Sequence, residues 1–128
     1  MGSSKEEETV SIDKMIKTVK QHPDYPKAGM ILCHNGVVRK TTREGQQVTG
    51  LRVTVDHDRL DRLIARQKAK SGIVEVLVEI AENRDLAIGD DVMYIVVAGD
   101  IRENVIETLS ETLNEVKSKV TSKEQFFK

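Results

Sequence analysis

The stretch 91–117, DVMYIVVAGDIRENVIETLSETLNEVK, decides the fold. Residues 92–98 are its apolar part and read as a buried strand. A small polar corner, GDIRE, follows. From there Ile101, Val105, Leu109, Leu113, Val116 and Val120 recur at helical spacing, which predicts one amphipathic helix. Asp100 is placed to cap it, with Glu103 three residues later, close to a capping box. Arg102 falls on the first turn. Lys117, Lys119 and Lys123 fall on or just after the far end. A rigid strand-helix unit with cations at both ends is a candidate cradle for an anionic substrate.

Outward from this unit, the rest of the chain supplies alternating helix and strand patterns. Residues 11–21 predict a helix: Ser11 can cap it, and Ile12, Met15, Ile16 and Val19 share a face. HPDYPKAG breaks the chain with two prolines and a glycine. Residues 30–38 form a strand pattern, KTTREGQQ a polar turn, and residues 48–56 a second strand with Leu51, Val53 and Val55 on one face. Residues 58–70 predict a helix with Leu60, Leu63 and Ile64 inward and Gly72 to end it. IVEVLVEI, 73–80, is a strand whose alternation is broken by Val74 and Leu77, and AENRDLAIGDD is a turn. The order αββαββα predicts an α+β fold, with helices packed on a mainly antiparallel sheet.

Length and composition narrow the function. The 128 residues suit one domain, expected over 11–128, behind a polar, acidic and disordered tail at 1–10. A formal net charge of −1 gives no global field for nucleic acid or an acidic membrane. With no Trp and 3% aromatics, a stacking platform for single strands is poorly supported. No apolar run approaches the roughly 20 residues that span a bilayer. The one cysteine, Cys33, excludes an intrachain disulfide and suits a reducing, cytoplasmic setting.

Each candidate site residue has a plain reading beside the functional one. Lys117 near a helix C-terminus complements the macrodipole. Held near Arg39 or Arg102, it would instead help bind an anion, and cation repulsion would favour a neutral, nucleophilic amine on one lysine. Arg39 ends the strand segment GVVR; it is either a solvated rim residue or a fork for phosphate or carboxylate. Arg102 opposes the dipole in its own turn, a mild cost that calls for a partner, which Asp100 or Glu103 can supply. Cys33, His34 and His57 lack the paired spacing of a zinc site, so no metal is expected. Cys33 reads as a small core residue and His57 as a helix-start residue. Phosphate-binding loop, dinucleotide fingerprint and serine elbow are all missing, and no cofactor is implied.

The ordered series of motifs resembles the large, catalytic subunit of molybdopterin synthase. That family has a Gly-Asp pair after a hydrophobic turn, an apolar strand, and an arginine opening a long helix that ends in a lysine. Gly89-Asp90, the strand at 92–98, Arg102 and Lys117 fall into that frame. Upstream, Gly36-Val37-Val38-Arg39 is similar to the family's G-x-V-R, and Asp56-His57 to its acidic-His pair. The likeness covers roughly residues 11–123. It implies an α/β hammerhead fold and a homodimer. It also implies a small ubiquitin-like subunit whose Gly-Gly tail, carried as a thiocarboxylate, enters a pocket on each large subunit. Sulfur would pass from that tail to a cyclic pyranopterin monophosphate. Lys117 would be the catalytic lysine, Lys123 its helper, and Arg39, Arg102 and Lys119 would bind anions. Ile101 stands where the family has a histidine, Ala81-Glu82 replaces a His-Arg pair, and Lys123 lies one position early. The family's longer C-terminal tail has no counterpart after Lys128. Two readings follow: a divergent sulfur-transfer enzyme, or a relative that binds a ubiquitin-like partner without turnover.

Overall fold

The computed structural model describes residues 10–128. The tail expected at 1–10 lies, apart from Val10, outside the described residues. Helix α1 spans Ile12–Lys20 and is capped by Ser11, whose hydroxyl accepts from the Lys14 amide at 3.2 Å. A short 3-10 turn, Tyr25–Lys27, leads to strand β1, Met30–Val37. Strand β2, Val48–Val55, precedes helix α2, His57–Lys68, with Asp56 as its N-cap. Then come β3 (Ile73–Ile80), β4 (Asp85–Ala87) and β5 (Asp91–Gly99). Helix α3, Arg102–Glu115, runs into a π-helical turn, Val116–Val120, and the described chain closes with β6, Thr121–Phe127.

The architecture is α+β, with two three-stranded antiparallel sheets where the pattern suggested one. Their strand orders are β1-β5-β3 and β4-β2-β6. Strand β5 is central in the first sheet and covered on both faces, which explains its unbroken apolar run. Ile95 and Val97 pack with Leu60 and Leu63 of α2 and Val105 of α3, while Val96 and Ala98 pack against Met15 and Val19 of α1. The broken alternation of β3 has a geometric cause. Its register with β5 slips between Ile73 and Glu75, so Val74 and Leu77 join the α1 side while Val76 and Val78 join the other.

A third cluster joins the sheets. Val38, just beyond β1, packs with Leu51 and Val53 of β2 and Leu86 of β4. Strands β4 and β6 were not foreseen. In β4 only Leu86 is buried, between exposed Asp85 and Ala87, too short a pattern to read as a strand. Over β6 the sequence pattern places no element, only Lys123 on or just after the last helix.

That helix also ends differently from the expected continuous run to Val120. After Glu115 the chain opens into the π turn, which keeps Val116 and Val120 buried while lifting Lys117, Ser118 and Lys119 outward. At its start the N-cap is Ile101, not Asp100, and it makes no side-chain cap bond. Asp100 acts one position earlier. Its Oδ1 accepts from the Ile101 amide at 2.7 Å and from Asn104 Nδ2 at 2.9 Å. These bonds pull the Asp100 carboxyl below the usual range, the Asn104 bond first and the Ile101 amide next. Gly72 lies against this corner with φ +82, and a Cβ there would stand 2.4 Å from Asp100 Oδ1.

Candidate anion site

Lys117 and Lys119 stand on a turn that is tied down from four directions. Thr121 Oγ1 donates to the Val116 carbonyl at 2.9 Å, and Ser118 Oγ to that of Asn114 at 2.8 Å. From α2, Arg59 Nη1 donates to the Lys119 carbonyl at 3.3 Å, and the Asp56 amide to that of Val120 at 2.8 Å. The turn is therefore a fixed platform despite its irregular geometry. π turns are frequent at functional sites.

Topology sorts the five expected cations into two groups. Strand β1 runs antiparallel to β5, pairing Met30 with Gly99 at one end and Val37 with Asp91 at the other. Helix α3 leaves the Gly99 end and returns across the sheet, so its far end lies over the exit of β1. Arg39 lies at that exit, and its Nε donates to the Thr41 carbonyl at 2.7 Å. Lys123, on β6, sits opposite Val53 in the register. Directly opposed residues share a face, so Lys123 lies on the face whose Leu51 and Val53 pack on Val38, next to Arg39. Arg39, Lys117 and Lys123 are exposed and have no carboxylate partner among the described residues.

The other two are placed differently. Arg102 is at the opposite end of α3, roughly 20 Å from Lys117 along the helix axis. Its guanidinium lies 3.8 Å from Glu103, the partner that the dipole argument called for. It borders a shallow, open groove on the outer face of α3, together with Ile106 and Glu107. Lys119 is 3.7 Å from Glu115, a carboxylate that also takes Arg66. One chain thus gathers Arg39, Lys117 and Lys123 toward one end, and leaves Arg102 apart.

Two histidines acquire definite surroundings. His57, at the start of α2, bonds Glu82 through Nε2 at 2.9 Å. That bond, followed by the charge of Glu82, raises its pKa above the ordinary imidazole value. His34, on β1, faces the α3 side with Met30 and Leu32. Burial first, and the charge of Lys117 second, push its pKa down. From the sequence, His34 stands out only as a possible metal ligand. The overlooked signal is a polar residue at an inward strand position. No group of three or more His, Cys, Asp or Glu side chains among the described residues is arranged to hold a metal ion. Cys33 packs with the α1-side core, and burial raises its thiol pKa.

A cleft of about 740 Å³ lies elsewhere, between the ends of β3, β4 and β5. Glu79, Asp85, Asp90 and Asp91 give it an acidic lining, with Arg84 the one basic side chain. It contains none of the five expected cations and is the wrong sign for an anionic substrate. No described helix is long and apolar enough to cross a membrane.

The fold defines an α+β domain of two three-stranded antiparallel sheets, and its Arg39, Lys117 and Lys123 have no carboxylate partner among the described residues. The comparisons with known proteins make the class specific. Residues 5–119 match the MoaE protein family, and the chain belongs to that family, the large subunit of molybdopterin synthase, with a role in molybdenum cofactor biosynthesis. Solved structures agree on the fold. The chain is similar to molybdopterin synthase from Staphylococcus aureus, at 16% identity and TM-score 0.76, covering 94% of this chain and 88% of that one. It is similar to a protein-protein complex of subunits 1 and 2 of molybdopterin-converting factor from Helicobacter pylori 26695, at 17% identity and TM-score 0.68, covering 92% and 84%. Molybdopterin cofactor biosynthesis protein E from Burkholderia multivorans matches at 16% identity and TM-score 0.74, covering 94% and 84%. No curated protein sequence matches the chain. The family match stops at residue 119, so β6 and Lys123 lie beyond it.

Proposed function

We propose that this chain is the catalytic subunit of a molybdopterin synthase, a sulfurtransferase. It takes sulfur from the thiocarboxylated Gly-Gly tail of a small ubiquitin-like subunit and passes it to cyclic pyranopterin monophosphate. The observation that carries this reading is the set of unpaired cations, Arg39, Lys117 and Lys123, toward one end of the fold. Tail, phosphate and developing charges are all anionic, and fixed cations stabilise such charge most where water is excluded. Lys117 is the catalytic lysine and Lys123 its helper. Arg39, Arg102 and Lys119 bind the anions. Arg102 stands a helix length from Lys117, so in this reading it joins that site from the second copy of a homodimer. A single half-buried thiol suits a reducing cytoplasm.

The test is reconstitution: the purified chain, a thiocarboxylated small subunit and the pterin precursor, with product read by fluorescence after oxidation. Product formation that Lys117→Ala lowers by on the order of 100-fold or more supports the assignment. Undiminished activity in that variant rejects Lys117 as the catalytic residue. Ile101, exposed to 53% at the helix start, favours a second reading: a relative that binds the small subunit without turnover. Binding with no product from the unaltered chain would establish it.

A further inference from the structure

Lys117 has no carboxylate partner among the described residues, so the backbone that carries it decides where its ammonium stands. That backbone is the π turn. Carbonyls at the end of a helix lack amide donors of their own helix. Two of them here, those of Lys119 and Val120, are taken by the first turn of α2. Arg59 Nη1 donates to the Lys119 carbonyl at 3.3 Å, and the Asp56 amide to that of Val120 at 2.8 Å. Asp56 and Arg59 are also joined to each other. Asp56 Oδ1 accepts from the Arg59 amide at 3.1 Å, and Oδ2 lies 3.5 Å from Arg59 Nε. The carboxylate thus holds the guanidinium by one nitrogen and leaves another for the turn.

Helix α2 reaches the π turn at its other end as well. Arg66 bonds Glu115, the residue just before the turn. Arg59, Leu63 and Arg66 stand at i, i+4 and i+7, on one face of α2. Leu63 is buried in the same cluster as Val116 and Val120, the two ends of the turn. An apolar contact under the turn and an arginine at each end form a bracket, with Lys117 raised between them. The two arginines are not equivalent. Arg66 grips a side chain, and Glu115 has a second cation in Lys119, 3.7 Å away. Arg59 grips the main chain two residues from Lys117, and its charge complements the dipole at a helix C-terminus. The bonds of Thr121 and Ser118 lie within the turn and its flanks and move with it.

We propose that Arg59 is a positioning residue for Lys117. It acts through the turn and not on the substrate: it keeps the Lys119 carbonyl in place, and the turn then presents the Lys117 ammonium at one position. This deepens the sulfur-transfer reading and rests on it for the reaction that Lys117 serves, but the hold on the turn stands without it. Misplacing a reacting group by about 1 Å lowers a rate on the order of 100-fold. Losing a single hydrogen bond that fixes it corresponds to about tenfold.

The experiment uses the full chain with Arg59→Met, which keeps the aliphatic stem and removes the donors, and with Arg59→Lys, which keeps the charge but not the fork. Arg59→Gln replaces the first should it melt early. Amide hydrogen exchange is followed by NMR. In Arg59→Met the amides of 117–121 exchange about tenfold faster, while those of α1, across the first sheet, keep their rates. In the reconstituted assay kcat of Arg59→Met falls by about tenfold, with KM for the thiocarboxylated small subunit unchanged. Arg59→Lys recovers part of both losses. Unchanged exchange at the turn overturns the proposal, and so does faster exchange with full kcat. Equal acceleration throughout the chain also overturns it, since Arg59 would then serve stability in general. An unaltered chain that makes no product would reject sulfur transfer and not the hold on the turn, which the exchange rates decide by themselves.

Discussion

At the scale of single residues, Gly72 is constrained twice over. Its positive φ and the 2.4 Å approach of any Cβ to the Asp100 carboxylate act together. Gly72→Ala is expected to destabilise the fold by roughly 2 kcal/mol or more, read as a lower midpoint in urea; an unchanged midpoint would reject the contact. His57 makes a prediction about pH. The hydrogen bond from its partner Glu82 raises the folded pKa above the ordinary imidazole value, so the protonated ring favours the folded state. That contribution is full below the unfolded value, about 6.5, and is lost as pH climbs through the raised one. Glu82→Gln should return the His57 midpoint toward about 6.5 in an NMR titration, and a midpoint that stays high would show that Glu82 is not the cause. Single residues also show what a sequence can and cannot say. His34 was visible as a polar side chain among inward positions. Its burial without a hydrogen-bond partner was not, because that depends on how α3 returns across the sheet.

Whole elements divide along the same line. Strand β5 and the helix after it were legible, since one is apolar on both faces and the other carries a long helical period. The π turn was hidden inside that period. Val116 and Val120 are four apart, a spacing that suits an α-helix and a π turn alike, so the pattern carries no mark of the change. β4 and β6 take their order from β2: Leu51 pairs with Leu86 on one side and Gln125 on the other. Polar edge strands of this kind have no strong signal of their own. The π turn has a testable brace in Thr121, whose hydroxyl bonds the Val116 carbonyl. Thr121→Val keeps the shape and the backbone bond to the same carbonyl. It should cost about 1 kcal/mol in thermal or urea unfolding; no loss would mean that the turn is held by its ties to α2.

At the scale of the molecule, the α+β class could be read from the order of elements, but the split into two sheets could not. Strands β1 and β2 are joined by a hairpin-like connection with a bridge between Thr41 and Gln47, which pattern alone would place in one sheet. The structure instead sends each strand to a different sheet, and so creates the junction where Arg39 and Lys123 face the same region. The five expected cations were legible as residues; their division between two ends of the molecule depends on the return path of α3.

The length of α3 has a genetic consequence. A chain lacking Lys117 and a chain lacking Arg102 would each be defective, yet each would retain what the other has lost. Mixed as Lys117→Ala and Arg102→Ala, and allowed to exchange subunits, they should recover about a quarter of the unaltered activity, since half of the pairs are mixed and each mixed pair holds one intact site. Complementation of that kind would show that the two cations serve one reaction from different chains. Its absence, with exchange demonstrated, would confine Arg102 to its own groove and leave Lys117 to act without it.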